Sequence, residues 1–220
     1  VLYFYCLLNS PLEARGGGGL REGKARNMFT GIIRHQGTLR QRTGSQLTIA
    51  VPRAIHARLK PGGSVAVNGV CLTVEAGGKK QGVRISVMPE TARTTTLARL
   101  PIGSIVNLEL PLRHGDPLDG HLVLGHVDGA GTVRTVKRRG DSRTMSIAAP
   151  RQLARYLAPK GSIAVDGVSL TIQSARGATF TVGLIPATLH RTTLSVLKPG
   201  DQGNLEVDVF ARYLKQLGRS

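Results

Sequence analysis

Two short runs hold the small polar side chains that could do chemistry. Cys71 and Thr73 lie in SVAVNGVCLTV (64–74), and Ser169 and Thr171 lie in SIAVDGVSLTI (162–172). In an extended chain, residues i and i+2 share a face, so each pair lines one surface beside a tight turn. A single such pair reads equally well as hydroxyls bonded to neighbouring backbone. Its recurrence beside the same turn favours a ligand surface. A second set is GHLVLGHVDG (120–129), where His121 and His126 stand five residues apart and face opposite sides of an extended strand. They cannot share one metal there, and no metal site is expected. A histidine titrating near neutrality does suit proton transfer. The third set is the loop pair PETART and PATLHRT, whose Thr91 and Thr188 can hydrogen-bond a polar ring edge. No glycine-rich phosphate loop, dinucleotide fingerprint or GxSxG elbow is present.

These sets recur because the chain contains one unit twice. GSVAVNGVCLTV (63–74) returns as GSIAVDGVSLTI (161–172), with eight of twelve positions identical. TGIIRHQGTLR answers LGHVDGAGTVR, IAVPR answers IAAPR, MPETARTTTL answers IPATLHRTTL, and VNLEL answers GNLEV. Gly31 answers Gly125 and Gly63 answers Gly161, offsets of 94 and 98 residues. A near-constant offset across five blocks is duplication of a folding unit of about a hundred residues. The two copies differ at Ile32, which His126 replaces. Such an asymmetry suits a catalyst that holds two copies of one ligand.

Each copy reads as short β-branched strands separated by Gly/Pro turns. In the first, the strands are placed at Phe29–Arg42, Gln46–Val51, Ser64–Asn68, Val70–Glu75, Val83–Met88 and Ser104–Leu110. Asn68-Gly69 and Asp166-Gly167 are hairpin turns. Pro52 and Pro150 each open a short helix at its first position. The expected fold is all-β: two tandem, pseudo-symmetric, six-stranded Greek-key barrels over 28–122 and 123–207. A C-terminal helix over 208–220 follows, with Asp208 as N-cap. Phe210, Tyr213, Leu214 and Leu217 form its apolar stripe, which suits an oligomer contact. Residues 1–27 lie outside the repeat and are expected to be a disordered upstream extension, with Met28 as the initiator.

The chain has 220 residues and a net charge of +17. Its basic residues are scattered, only KRRGDSR (137–143) is dense, and no strand interleaves aromatics with Lys or Arg. Nucleic-acid binding is therefore not expected as the main function. Cys6 and Cys71 give no disulfide framework, which points to the cytoplasm. No stretch is long enough to span a membrane as a helix.

MFTGII, SVAVNGVCLTV, GHLVLGHVDG, SIAVDGVSLTI and the IPATLHRTTL block together resemble the riboflavin synthase α-chain family, over residues 28–215. The resemblance implies a homotrimer that needs neither cofactor nor metal. It implies a dismutation in which two molecules of 6,7-dimethyl-8-ribityllumazine exchange a four-carbon unit. The products are riboflavin and 5-amino-6-ribitylaminouracil. A family branch that only binds lumazine or flavin as an optical antenna is the alternative, and association with a lumazine synthase capsid is left open.

The family's N-barrel pocket falls on Gly31, Ile32, Ile33, Ser64, Cys71, Leu72 and Thr73, on Ser86, Val87, Met88, Pro89, Glu90 and Thr91, and on Gly125, His126 and Val127. Its C-barrel pocket falls on Lys160, Asp166, Ser169, Leu170 and Thr171, and on Ile185, Pro186, Ala187, Thr188, Leu189 and His190. Phe29 matches a residue that supports the site. In the roles implied, Cys71 or an activated water adds to a lumazine ring carbon. His126 or Asp208 moves protons to and from the 7-methyl group, and Ser169 and Thr171 position the ring edge. Leu124, Asp119, Ala187 and Ala92 depart from the family pattern beside the site, and none removes a residue with one of these roles.

Overall fold

The computed structural model describes residues 28–77 and 82–218; the 1–27 extension lies outside the described residues. Strands β1 (His35–Thr43), β2 (Gln46–Ala50), β3 (Ser64–Val67), β4 (Val70–Gly77), β5 (Gly82–Ser86) and β6 (Ile105–Glu109) close into a barrel in the order β1-β2-β5-β4-β3-β6. The second copy supplies β7 (Gly129–Arg139), β8 (Ser142–Ala148), β9 (Ser162–Val165), β10 (Val168–Arg176), β11 (Thr179–Leu184) and β12 (Gln202–Val207). These close in the same order, β7-β8-β11-β10-β9-β12, and every pairing in both barrels is antiparallel.

The alternation of each strand decides what fills the barrel. In β4, Leu72 and Val74 point into a core with Val65, Val67, Ile85 and Leu108, while Cys71, Thr73 and Glu75 point out. In β10, Leu170 and Ile172 point inward and Ser169 and Thr171 outward. The aliphatic interior leaves a ligand the outer face. The Asn-Gly and Asp-Gly turns form as expected. Asn68 and Asp166 have φ of 44° and 46°, and the following glycines 76° and 77°, both residues left-handed as a type I′ turn requires.

Several local expectations are corrected. Pro52 and Pro150 stand at the N-cap and not at the first helical position; α1 (Arg53–His56) is one turn, and Arg151–Tyr156 is a 3₁₀ helix. The loops PETART and PATLHRT are short helices, α2 (Pro89–Thr94) and α3 (Pro186–Arg191), each with proline in its first turn. Proline's fixed φ starts a helix as readily as a turn, so composition alone does not separate them. The C-terminal helix α4 (Val209–Leu217) forms as expected, and the Asp208 carboxylate accepts the Phe210 N–H at 2.9 Å.

The barrels meet across a pseudo-twofold axis at the two hairpin turns. A Cβ on Gly69 would lie 2.6 Å from Gly167 N, and one on Gly167 would lie 2.7 Å from Gly69 N. Around this contact two buried asparagines bridge the halves. Asn107 Nδ2 donates to Asp166 O and its Oδ1 accepts from Thr193 N, while Asn204 Nδ2 donates to Asn68 O and its Oδ1 accepts from Thr96 N. These bonds, 2.8–3.0 Å long, give the nitrogen and the oxygen of each amide a partner in a place closed to water.

Candidate functional site

The two polar faces are built by the same device, and each borrows chain from the other half. The segment Thr30–Arg34 precedes β1 but lies on the second barrel: Gly31 O accepts the Ser169 N–H at 2.8 Å, and Ile33 sits in the second barrel's core. Leu124–Asp128 precedes β7 but lies on the first barrel: Gly125 O accepts the Cys71 N–H at 2.9 Å, and Val127 packs on the first barrel's core. The N-barrel placement expected for Gly31 and Ile33 is thereby corrected: Gly31 stands beside Ser169 and Ile33 in the second barrel's core. The repeat places each segment with its own copy, and only the crossing of the chain reverses this.

The crossings are close enough to require glycine. A Cβ on Gly125 would sit 2.5 Å from Cys71 Cβ, and one on Gly31 would sit 2.6 Å from Ser169 Cβ; both glycines have positive φ. Two buried glutamates hold the crossing chains. Glu109, at the end of β6, accepts from Thr30 N at 2.7 Å, Thr30 Oγ1 at 2.8 Å and Gly31 N at 3.0 Å. Glu206, in β12, accepts from Leu124 N at 2.7 Å and Gly125 N at 2.9 Å. Burial pushes both carboxyls above their usual range, Glu206 to about 7, while these N–H donors oppose the rise. The sequence reading missed both residues, because a glutamate in a short strand looks like a solvent-facing one. Their recurrence in VNLEL and GNLEV was the available signal.

On the first face, Cys71 and Thr73 stand with Ser64, whose Cα pairs with that of Thr73 across the β3–β4 ladder. On the second, Ser169 and Thr171 stand with Ser162 in the same register. Ser162 is the counterpart of Ser64 and also escaped the sequence reading. His126 follows Gly125 on the first face and keeps an edge open to solvent. Protein packed about its ring lowers its pKa, the Arg212 charge lowers it further, and Asp128 opposes both. Arg212, from α4, places its Nη2 3.0 Å from each carboxylate oxygen of Asp128. His121 lies on the second face, where its Nδ1 is 2.7 Å from Ser169 Oγ. Burial lowers the His121 pKa and the Asp208 charge opposes this, so Asp208 adjoins the second face while capping α4. The two histidines thus serve different barrels, in keeping with their opposed spacing.

The remaining expected residues divide by burial. Thr91 and Thr188 stand half-buried in α2 and α3 with Leu189, and Met88, Pro89, Glu90, Ile185, Pro186, Ala187, His190 and Lys160 are exposed at the rims. Ser86 is half-buried beside them. Phe29, Leu72, Val87 and Leu170 are buried in apolar clusters and support the faces from behind. Asp166 is also buried, with its carboxylate on Asn204 N at 2.8 Å, so it braces the second barrel's turn. Among the described residues no cluster of three or more His, Cys, Asp or Glu could hold a metal ion.

Two equivalent polar faces on tandem Greek-key barrels, each completed by the other half's chain, define a duplicated small-molecule-binding barrel protein. The family model for the lumazine binding domain matches twice, over residues 30–111 and 124–208. Riboflavin synthase of Mycobacterium bovis (strain ATCC BAA-935 / AF2122/97) is 42% identical over 88% of this chain and 99% of its own length. That of Brucella abortus (strain 2308) is 38% identical over 87% and 98%. The chain belongs to the riboflavin synthase family and is an enzyme. Among solved structures, LumP complexed with riboflavin shares the fold with a TM-score of 0.76 at 24% identity, over 81% of this chain and 98% of that one.

Proposed function

We propose that the chain is a riboflavin synthase, converting two molecules of 6,7-dimethyl-8-ribityllumazine into riboflavin and 5-amino-6-ribitylaminouracil. The observation that carries this reading is the pair of equivalent faces, Cys71 against Gly125 and Ser169 against Gly31. A reaction between two identical molecules needs two like sites, and holding both rings in reactive geometry lowers the barrier by several kcal/mol. Both faces are on the outside of their barrels. The productive pair therefore forms where the first barrel of one subunit meets the second barrel of a neighbour, in a homotrimer joined through α4. The apolar side chains Phe210, Tyr213, Leu214 and Leu217 are each more than 60% exposed, which supports that role.

The chemistry follows from groups on each face. Their lowered pKa values keep His121 and His126 neutral near pH 7, able to accept a proton from the acidic 7-methyl group of a bound lumazine. The carbanion so formed attacks the second ring. Breaking the donor's two ring carbon–nitrogen bonds then carries its four carbons across and releases the aminouracil. His121 with Ser169 forms the relay on the second face, and Cys71 or a water it orients adds to the ring on the first and is expelled again as the new carbon ring closes. Asp208 acts by adjoining His121. The enzyme works in the cytoplasm, a reading supported by a sequence with two cysteines in unlike contexts and no disulfide framework. No helix among the described residues is long and apolar enough to cross a membrane.

The test is to mix the purified chain with the lumazine alone and follow riboflavin by its absorbance. Riboflavin formed without any added cofactor establishes the dismutation. Tight binding without turnover replaces it with the antenna function.

A further inference from the structure

A cavity of about 240 Å³ opens beside the first barrel and includes neither Cys71 nor Ser169 in its walls. It lies where the start of β1, the end of β6, the turn after α1 and the segment joining the barrels converge. Three arginines from three separate parts of the chain line it: Arg34, Arg58 and Arg113. A second space of about 210 Å³ shares Arg58 and Arg113 and runs on to Ser64.

Two acids, Glu109 and Asp116, also line the cavity, and each is held by hydrogen bonds of its own. Glu109 is taken up by Thr30 and Gly31, as described. Asp116 accepts the Arg113 N–H at 2.8 Å and so closes the turn that presents Arg113. Asp119 pairs with Arg34 at 3.3 Å, but both side chains are more than half exposed, so that pair is weak. Among the described residues, neither Arg58 nor Arg113 has an acidic side chain within salt-bridge reach. The excess positive charge is felt locally. Burial holds the His35 imidazole below its ordinary pKa, and Arg58 and Arg34 push it further down.

We propose that this cleft is a binding site for a phosphate group, either inorganic phosphate or the phosphomonoester end of a larger molecule. Guanidinium forks match phosphate oxygens in pairs, and two arginines without an acidic partner line this one concavity. The cavity alone is smaller than the roughly 300–1,000 Å³ that encloses a whole drug-sized ligand, so it suits a phosphoryl head, with the adjoining space running toward Ser64. The ribityl chain of the lumazine ends in a hydroxyl and carries nothing for this cleft. The site adjoins the two faces, since the cavity reaches Ile32 and the second space reaches Ser64, but its arginines take no part in the reaction proposed there.

The full chain is titrated at low ionic strength with inorganic phosphate by calorimetry, and with flavin mononucleotide by quenching of flavin fluorescence. Arg58→Gln, Arg113→Gln and Arg40→Gln are run alongside; Arg40 is exposed on β1 and lines neither space. The expected result is saturable phosphate binding, weakened tenfold or more by Arg58→Gln and by Arg113→Gln and unchanged by Arg40→Gln. If phosphate displaces flavin mononucleotide, and the same two variants weaken that ligand, the natural occupant is a phosphomonoester. Phosphate binding without displacement assigns the site to free phosphate. Absence of saturable phosphate binding, or equal weakening in all three variants, overturns the proposal in favour of general attraction to a basic protein. Lumazine turnover measured on the same samples reads the other proposal separately.

Discussion

Asp166 and Asn68 occupy equivalent turns and do the same work at different cost. Each side-chain Oδ1 accepts the N–H of the asparagine in the last strand of its barrel, Asn204 at 2.8 Å and Asn107 at 2.7 Å. Burial lifts the Asp166 carboxyl to about 7, against the donor's opposing pull. A carboxyl whose pKa is raised by folding binds more protons folded than unfolded, so its contribution to stability falls as pH rises from about 4 to 7. Asp166→Asn removes that loss and keeps the acceptor. The variant's advantage over the parent is expected to grow by about 2–3 kcal/mol between pH 5 and pH 8, read from denaturant midpoints. A gap that does not change with pH would mean that Asp166 is ionised at little cost. The histidines predict the pH dependence of turnover. With both pKa values lowered, kcat/KM is expected to stay level from pH 8 to about 6.5 and to fall only below that, as the bases protonate. His126→Gln should lower kcat by about 10²–10⁴-fold; a loss under threefold would remove His126 from proton transfer.

The paired turns are the elements that fix how the barrels face each other, and glycine is required there twice over. Gly69→Ala imposes a left-handed φ on alanine and drives its Cβ to 2.6 Å from Gly167 N. Gly44 has a similar φ of +57° but open space around it, so Gly44→Ala carries the backbone strain alone. The strain is worth about 1–2 kcal/mol. Gly69→Ala should cost at least about 2 kcal/mol more than Gly44→Ala, a further drop in Tm of several degrees by thermal melting. Equal costs would show that the barrels separate easily at this point. These turns were legible in the sequence, because Asn-Gly and Asp-Gly between apolar runs name their own geometry. So was the outward face of Cys71, Thr73, Ser169 and Thr171, since strand alternation is a local property. Glu109, Glu206 and the crossing of Gly31 to the second barrel were not legible, and Gly125 reached the first barrel's pocket only through the family resemblance. Each depends on which chain crosses which barrel, and no local pattern encodes that.

The exchange makes the two halves incomplete alone, and that has a consequence for the whole molecule. The fragment 28–122 holds a barrel whose Cys71 N–H finds its acceptor, Gly125 O, and whose core finds Val127, in the segment 124–127, which the fragment lacks. Its own Thr30–Ile33 would be left without the Ser169 ladder and without the second barrel's core for Ile33. The two segments are alike, TGII and LGHV, with glycine at the contact and a β-branched residue at the plug. A second copy of the fragment can therefore lend Gly31 O to Cys71 N and Ile33 to the core, and receive the same in return, an isologous arrangement. The fragment is expected to elute as a dimer, and its dissociation and unfolding should coincide because each copy completes the other's core. A folded monomer at all concentrations would show that the barrel closes without the borrowed segment, and the crossing would then be a consequence of the fold and not a condition for it.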